Sequence, residues 1–226
     1  MKPLKKPSSS PIVLGLDLAG VAHRRTGACV LKGRRAQTCV LHTDEEILEF
    51  ARRTRPVLAA IDAPLHLPPG RKSIEDRNGC HLRPCDEELR RRHIPFFPIT
   101  LGPMRVLTVR GMMLKKKLEA LRIRVVEIYP GGAQDVWRIP RAKRNMAGLL
   151  AGLRRLGLMG LTSKATADEL DAASGALAAQ LFLKGDAEVL GDFKTGAIVL
   201  PRAKRKRHRS GSGTERILKS GTGHER

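Results

Sequence analysis

The apolar residues of the first forty positions fall into short runs that are typical of buried strands. The candidate strands cover 12–18, about 25–32 and about 36–42, and the turn-like sequences "AG" and "KGRR" follow the first two. Apolar runs bounded by turn residues favour strands, and short links favour pairing between neighbours. The sequence therefore predicts an antiparallel meander of three strands.

Helical patterns and further strands alternate after the meander. "TDEEILEFARRT" predicts a helix that Thr43 caps, with Glu46 at the third helical position. "PVLAAIDAPLHLP" and "IRVVEIYPGG" predict two more strands, and "EVLGDFKTGAIVLP" predicts a closing hairpin. This order predicts a mixed sheet with helices on its faces.

The remaining helices are predicted at four places. One lies in "RPCDEELRRRH", one spans about 105–121, and one spans 141–158. The last, in "TADELDAASGALAAQLFLKG", begins at a capping box of Thr166 with Glu169 and ends at Gly185.

Three carboxylates interrupt apolar strands, namely Asp17, Asp62 and Glu127. An unpaired buried charge costs several kcal/mol, so each needs a partner. Each acid lies near the end of its strand, where ligands bind in sheets of this kind. Asp168 and Asp171 lie three residues apart on one face of the last helix. Together these residues indicate a site for Mg²⁺, which takes hard oxygen ligands.

Each acid also has a purely structural explanation. Asp17 could accept hydrogen bonds from backbone amides, and Asp62 could belong to the turn before Pro64. Glu127 could pair with Arg122 or Arg124 nearby in the sequence. The two acids of the last helix could simply complement the helix dipole.

A second group of residues is a candidate for substrate binding. Arg83, Asp86, Arg90 and Arg110 could hold a phosphate group through bidentate contacts. The alternative is a solvated amphipathic helix over this part of the chain. Tyr129 could stack or form a hydrogen bond near the acids, or could simply close its strand.

Charge indicates a polyanionic partner. The 226 residues carry a formal net charge of +21, of which the terminal segments 1–10 and 202–226 supply +3 and +7. Both segments combine high charge with few apolar residues, so they are expected to be disordered tails. The remaining +11 falls on residues 11–201, so the expected folded domain is itself basic. Nucleic acid is the commonest partner of such a surface, and a merely solubilising surface is the alternative.

Other classes of protein are disfavoured. No apolar run reaches about 18 residues, so no membrane span is expected. The basic start of the chain lacks the apolar segment of a signal peptide, which predicts a cytoplasmic protein. The four cysteines fit no zinc-binding spacing and are expected to be reduced thiols.

Several motifs together resemble one family. In order along the chain they are "GLDLAG", "IDAPLHLP", "RPCDEELRRRHIPFFP", "LGPMRVLTVRG", "VVEIYPGGAQD", "DELDAASGALAAQL" and "GDFKTGAIVLP". The sequence resembles the predicted-nuclease family of the ribonuclease H fold, which is catalogued as domain of unknown function 429. The similarity spans about residues 11–201, the whole expected domain.

The resemblance implies a fold and a set of site residues. The fold would be α/β, a ribonuclease H-like mixed five-stranded sheet with helices on both faces. Asp17, Asp62, Glu127 and Asp171 would be the catalytic acids and would bind Mg²⁺ or Mn²⁺, with Asp168 as a further ligand. The small residues of "DAASGA" would let the last helix approach the sheet closely.

The function that follows is a metal-dependent nuclease that hydrolyses phosphodiester bonds of DNA or RNA. One alternative is a non-catalytic nucleic-acid-binding protein of the same fold. Another is a phosphotransferase, because "GLDLAG" is also similar to the phosphate-binding strand of the sugar-kinase and actin folds. Against the second alternative, the chain lacks room for the duplicated domain with which those proteins hold ATP.

Overall fold

The computed structural model describes residues 10–203. The two predicted tails, 1–10 and 202–226, lie almost wholly outside the described residues. No helix within residues 10–203 is both long and apolar enough to cross a membrane.

Seven strands and six helices make up the described part of the chain. The strands are β1 (Ile12–Asp17), β2 (Thr26–Lys32), β3 (Arg35–Leu41), β4 (Leu58–Ile61), β5 (Arg124–Ile128), β6 (Ala187–Asp192) and β7 (Gly196–Pro201). The helices are α1 (Asp44–Thr54), α2 (Pro84–Arg91), α3 (Gly102–Ala120), α4 (Pro130–Trp137), α5 (Met146–Arg155) and α6 (Ala167–Leu183).

All seven strands form one mixed sheet in the order β3-β2-β1-β4-β5-β7-β6. The first three strands are the predicted antiparallel meander, and β4 and β5 run parallel to β1. These five strands form a mixed sheet whose first three strands are antiparallel, as expected. The predicted total of five is wrong, because the closing hairpin joins the sheet through β7, with Ile198 paired to Glu127. Every residue of β7 is buried, and its pairing covers the edge that β5 would otherwise expose.

Helices cover both faces of the sheet, as the sequence predicts. On one face Val13, Ala60 and Val126 belong to a core that also includes residues of α5 and α6. On the other face Leu16 and Ile61 belong to a core that includes residues of α1 and α3. Successive strand residues alternate between the two faces, so the position of a residue in its strand decides which helices it meets.

Helix α6 lies directly on the sheet because small residues meet at the contact. A Cβ atom on Gly15 would lie 2.2 Å from the carbonyl oxygen of Ala172, and one on Gly27 would lie 2.0 Å from that of Asp168. Neither position has room for a side chain. The close approach that the small residues of α6 imply is thus present, and it brings the first turn of α6 over the end of β1.

The local signals for helix ends are largely confirmed. Thr43 accepts a hydrogen bond from the amide of Glu46, and Thr166 forms its capping box with Glu169. Gly185 follows α6 with a φ of 78°, a conformation that favours glycine.

Two helices differ from the predictions. The helix expected at 141–158 spans only Met146–Arg155, because the Asn145 side chain caps it by accepting a hydrogen bond from the amide of Gly148. Residues 141–145 are therefore a loop. Helix α4 was not predicted, because its Pro-Gly-Gly start has poor helix propensity. Pro130 nevertheless suits the first helical turn, where its missing N–H removes no intrahelical bond.

Candidate functional site

An open cleft with a volume of about 1000 Å³ lies at the carboxyl ends of the central strands. All five acids that the sequence indicates line it: Asp17, Asp62, Glu127, Asp168 and Asp171. Asp17 ends β1, Asp62 directly follows β4 and Glu127 lies in β5, and the first turns of α6 supply the other two. The cleft therefore has an acidic floor.

Sheet register places Asp17 and Asp62 side by side. Leu16 and Ile61 are partners in the parallel ladder between β1 and β4, and the two aspartates are the next residues. The amide of Asp62 donates to the carbonyl of Leu16 at 2.8 Å, which continues the ladder to that point. Neighbouring strands lie about 4.8 Å apart, and residues in register point to the same face. Both carboxylates therefore face α6.

The acids of α6 reach the same place because β2 leaves room for them. Gly27 is the partner of Asp17 in the antiparallel ladder, and the backbone of Asp168 passes directly over it. Asp171 accepts a hydrogen bond of 2.6 Å from the Nε2 group of Gln134, a buried residue of α4. Gln134 thus orients Asp171. Gln134 is not among the site residues predicted from the sequence, although its single amide in the apolar stretch of "GGAQDVW" is a signal.

The carboxylates on this face repel one another. Burial, and then the charges of Asp171 and Asp168, raise the pKa of Asp17 to about 8, while Lys143 acts in the opposite direction. Burial, followed by the charge of Asp17, raises the pKa of Asp62 well above its ordinary value. Burial also raises the pKa of Asp171, against the hydrogen bond from Gln134.

Among residues 10–203, burial and neighbouring charges are the leading causes of the raised pKa values of Asp17 and Asp62. Hydrogen bonds from backbone amides, which would explain Asp17 structurally, are not among these leading causes. Half-buried acids in a cleft that raise one another's pKa values are typical of functional sites.

The donor chemistry of this group fits a hard divalent cation, because its members offer carboxylate oxygens with few other partners. Within the described residues, however, no three acidic, histidine or cysteine side chains are grouped closely enough to hold an ion as they lie. The residues that could hold one are Asp17, Asp62 and Asp171, with Asp168 beside them. Their side chains would have to turn toward a common point.

For Glu127 the structure shows a different arrangement from the predicted one. Glu127 is in register with Ile61, so its side chain begins on the sheet face that α1 and α3 cover. Its carboxylate accepts hydrogen bonds from the Nη1 and Nη2 groups of Arg83, at 2.6 and 2.8 Å, and from the amide of Leu65 at 2.8 Å. Glu127 is thus paired with an arginine, although not with Arg122 or Arg124.

Burial raises the pKa of Glu127, and the charge and hydrogen bonds of Arg83 act against that rise. Arg83 also binds Asp86, through Nε at 3.0 Å and Nη2 at 2.8 Å, and is only 2% exposed. Arg83 and Asp86 line the cleft, but the Arg83 guanidinium already donates hydrogen bonds to the carboxylates of Asp86 and Glu127. A phosphate could bind Arg83 only if this buried network were broken.

The other predicted substrate contacts have separate positions. Arg90 is exposed, lies outside the cleft lining and pairs with Glu87. Arg110 is buried and donates to the carbonyls of Ala19 and His42 at 2.6 and 2.9 Å, so it ties the end of β1 to the start of α1.

Tyr129 does line the cleft. Its hydroxyl donates to the carbonyl of Pro95 and accepts a hydrogen bond from Arg141 at 3.1 Å. It therefore remains a candidate for contact with a ligand, but its hydroxyl is already held by two neighbours.

A basic rim, which is not among the features predicted from the sequence, surrounds the acidic floor. We define the rim as Arg24, Arg25, Arg141, Lys143 and Arg144, all of which line the cleft. Among residues 10–203, Arg141 pairs with Asp135 and the other four form no salt bridge. The clusters "HRR" and "RAKR" were visible in the sequence. The second, however, was assigned to a helix, whereas the structure places it in the loop before α5.

Comparison with known proteins gives a family and one distant structural likeness. A family model described as "Protein of unknown function (DUF429)" matches residues 15–195. No curated protein matches the chain. The solved structures that resemble it include one titled "Thermus thermophilus RuvC structure", at 15% identity and a TM-score of 0.44, covering 77% of this chain and 96% of that chain.

Proposed function

Because the chain belongs to the DUF429 family, whose function is unknown, we propose from its cleft that it is a metal-dependent nuclease acting on phosphodiester bonds of nucleic acid. One observation carries the proposal: within residues 10–203, Asp17, Asp62 and Asp171 form no salt bridge, and they lie in a cleft where four of the five rim cations are also without one. The floor suits a divalent cation, and the rim suits the phosphates on either side of the bond to be cut.

Each group has a distinct task in this proposal. Asp17, Asp62 and Asp171 hold Mg²⁺ or Mn²⁺, with Asp168 as an additional ligand. A bound divalent cation neutralises charge on the phosphate under attack and makes water a better nucleophile. Gln134 keeps the carboxylate of Asp171 turned toward the cleft.

Glu127 acts indirectly, as a positioning residue. Its carboxylate holds the amide of Leu65, three residues after Asp62, and is itself held by Arg83. The loop that follows β4 is therefore held in place by this hydrogen bond, from the side of the sheet opposite α6. In this arrangement Glu127 and Arg83 set the position of Asp62 without touching the substrate.

The rim cations bind the nucleic-acid backbone. Arg24 and Arg25 lie between β1 and β2, and Lys143 and Arg144 lie between α4 and α5, so the two pairs come from separate loops at the cleft. Contacts with phosphates position the chain without reading its sequence. The nucleic-acid backbone would then place one phosphate over the carboxylates, between the phosphates that the rim cations bind.

A cleavage assay tests the proposal. Labelled DNA and RNA oligonucleotides are incubated with the protein in Mg²⁺, in Mn²⁺ and in a chelator. We expect cleavage of at least one substrate that requires the cation, and we expect Asp62→Asn to reduce its rate about a hundred- to a thousandfold, as loss of a key electrostatic group does. Glu119→Gln, an exposed change at the far end of α3, is the matched control. Cleavage that survives Asp62→Asn unchanged, or no cleavage of either substrate, would contradict the proposal.

A second candidate is a nucleic-acid-binding protein that does not cleave. One observation favours it: no three side chains of residues 10–203 are grouped as ion ligands. In that case the parent protein would bind the oligonucleotides in the presence of Mg²⁺ and leave them intact, and Asp62→Asn would bind equally well.

A further inference from the structure

Aromatic side chains are rare in this chain and concentrated at the cleft. The sequence has five Phe, one Tyr and one Trp, and three of these seven line the cleft: Phe96, Phe97 and Tyr129. Phe97 is 68% exposed, more than any other large apolar side chain of residues 10–203. A single exposed apolar residue is ordinary. An exposed aromatic ring beside an acidic floor and a basic rim is not explained by packing.

The backbone around Phe97 is held at several points. The Tyr129 hydroxyl donates to the carbonyl of Pro95, and Phe96 packs against the core that includes Leu89 and Ile198. On the other side Ile99 is buried, at 1% exposed. The ring is therefore exposed on an anchored segment.

The two prolines of "IPFFP" restrict the segment further. Pro95 has a fixed φ, and Pro98 disfavours the helical region for the residue before it, which is Phe97. A ring on such a segment loses little conformational freedom when a flat partner stacks on it. Its position at the cleft is thus prepared before any ligand binds.

The chemistry of the surroundings points to a nucleobase as that partner. The rim cations attract a phosphate backbone, and a nucleotide held by its phosphate carries a flat base within reach of the cleft lining. Every base has a π-face and can stack on an aromatic ring. A base within a duplex is already stacked on its neighbours, so only an unpaired base can do so.

We infer that Phe97 is a stacking subsite for an unpaired nucleobase, and that the cleft accepts single-stranded or locally unpaired nucleic acid in preference to a continuous duplex. This inference rests on the proposed nucleic-acid function of the cleft. It adds the form of the substrate and a residue that selects it.

Binding in a chelator tests the inference separately from cleavage. Fluorescence anisotropy measures the dissociation constants of a single-stranded oligonucleotide and of a duplex of the same sequence, as DNA and as RNA. We expect tighter binding of the single strand by the parent protein. Phe97→Ala should weaken that binding about tenfold and leave the duplex nearly unchanged, since loss of one stacking contact has effects of this order.

Three further variants make the test specific to stacking. Phe97→Trp should bind the single strand as the parent does, whereas Phe97→Leu should resemble Phe97→Ala because it keeps apolar bulk without a flat ring. Phe193→Ala removes another exposed ring, 48% exposed and outside the cleft lining, and should have no effect. The fluorescence of a 2-aminopurine base in the single strand reports its stacking, and the change on binding should be alike for the parent and Phe97→Trp and absent for Phe97→Ala and Phe97→Leu.

The outcomes separate the two proposals. If the parent protein never cleaves but Phe97→Ala weakens the binding of the single strand and not of the duplex, the nuclease proposal fails and the stacking subsite stands. If Phe97→Ala binds the single strand and the duplex as the parent does, or if its affinity for both falls equally, the subsite is wrong even if cleavage is observed. Equal binding by Phe97→Leu and the parent would also overturn it, because a non-specific apolar contact would then suffice.

Discussion

Two groups of carboxylates lie close together at the carboxyl ends of the central strands, one buried and one half-buried in the cleft, and they are stabilised in opposite ways. Glu127 and Asp86 enclose Arg83, whose guanidinium donates hydrogen bonds to both. Asp17 and Asp62 lie on the other face of the sheet, where burial and mutual repulsion raise their pKa values. We call the first group complete, because Arg83 supplies its cation from within the protein. The second group is incomplete, because no described residue forms a salt bridge with Asp17 or Asp62.

The difference shows how the same kind of residue can serve the fold or a ligand. A buried carboxylate is tolerated when a cation and hydrogen bonds compensate its charge. Arg83 supplies both for its group, so that group needs no ligand. The aspartates opposite α6 would gain the same compensation only from outside the chain, which is why we assign the cation to them.

The largest expected effect comes from removing the cation of the complete group. Arg83→Met keeps the length of the side chain but leaves Glu127 and Asp86 buried without compensation. We expect the free energy of unfolding to fall by about 3–5 kcal/mol, the usual cost of breaking a buried ion pair from one side. Urea denaturation measures it.

The control for this prediction is Arg90→Met, which breaks an exposed pair with Glu87 on the same helix. Its effect should stay within about 0.5 kcal/mol, as for ordinary surface changes. A loss below about 1 kcal/mol for Arg83→Met would show that the two groups do not differ as described.

A smaller effect of opposite sign is expected in the incomplete group. Asp17→Asn removes one of the repelling charges and should raise the free energy of unfolding of the metal-free protein by about 1–2 kcal/mol at pH 8 to 9. Thermal and urea denaturation in a chelator measure it. If Asp17→Asn is less stable than the parent under these conditions, Asp17 has a structural partner that the account lacks.

The pH dependence of that difference follows from the raised pKa of Asp17. The folded protein holds this proton up to about pH 8, whereas the ordinary value is 3.8. The folded state therefore binds more protons between these values, and stability falls as the pH rises through that range. Below about pH 4 the carboxyl is neutral in both states, so the parent and Asp17→Asn should converge there. Asp62 and Asp171 titrate in the same group, so the variant should keep a weaker slope.

The smallest effects concern the basic rim. Arg83 is held by two carboxylates, whereas Arg24 and Arg144 of the rim form no salt bridge within residues 10–203. Arg24→Ala and Arg144→Ala should each weaken nucleic-acid binding modestly, and each should reduce the slope of log K against log salt by about 0.7–0.9. Arg124→Ala, exposed at the opposite end of β5, should leave the slope unchanged. Anisotropy titrations between about 50 and 200 mM salt measure the slopes. Equal slopes for the parent and both rim variants would remove the rim from the binding site.

Local patterns explain what the sequence could predict. The meander, the caps at Thr43 and Thr166, and the placement of Asp17 and Asp62 at strand ends depend on neighbouring residues, and the structure has all of them. The close contact of α6 with the sheet also followed from a local run of small residues.

The errors concern relations between distant residues. Arg83 meets Glu127 across 44 positions of sequence, and the face of Glu127 depends on the register of β5 with β4. The pairing of β7 with β5, which enlarges the sheet to seven strands, is also non-local. The basic rim was missed because its role depends on where two loops meet, which strand and helix periodicity does not describe.

The most direct test of the central claim is a titration of the purified protein with Mn²⁺, in which electron paramagnetic resonance measures the free ion. The account predicts that the parent protein binds Mn²⁺, that Asp17→Asn and Asp62→Asn each abolish most of the binding, and that Glu119→Gln leaves it intact. Glu127→Gln should retain it if the variant folds, because Glu127 belongs to the complete group. If the parent protein leaves Mn²⁺ free, or if both aspartate variants bind it as the parent does, the carboxylates opposite α6 do not form a metal site.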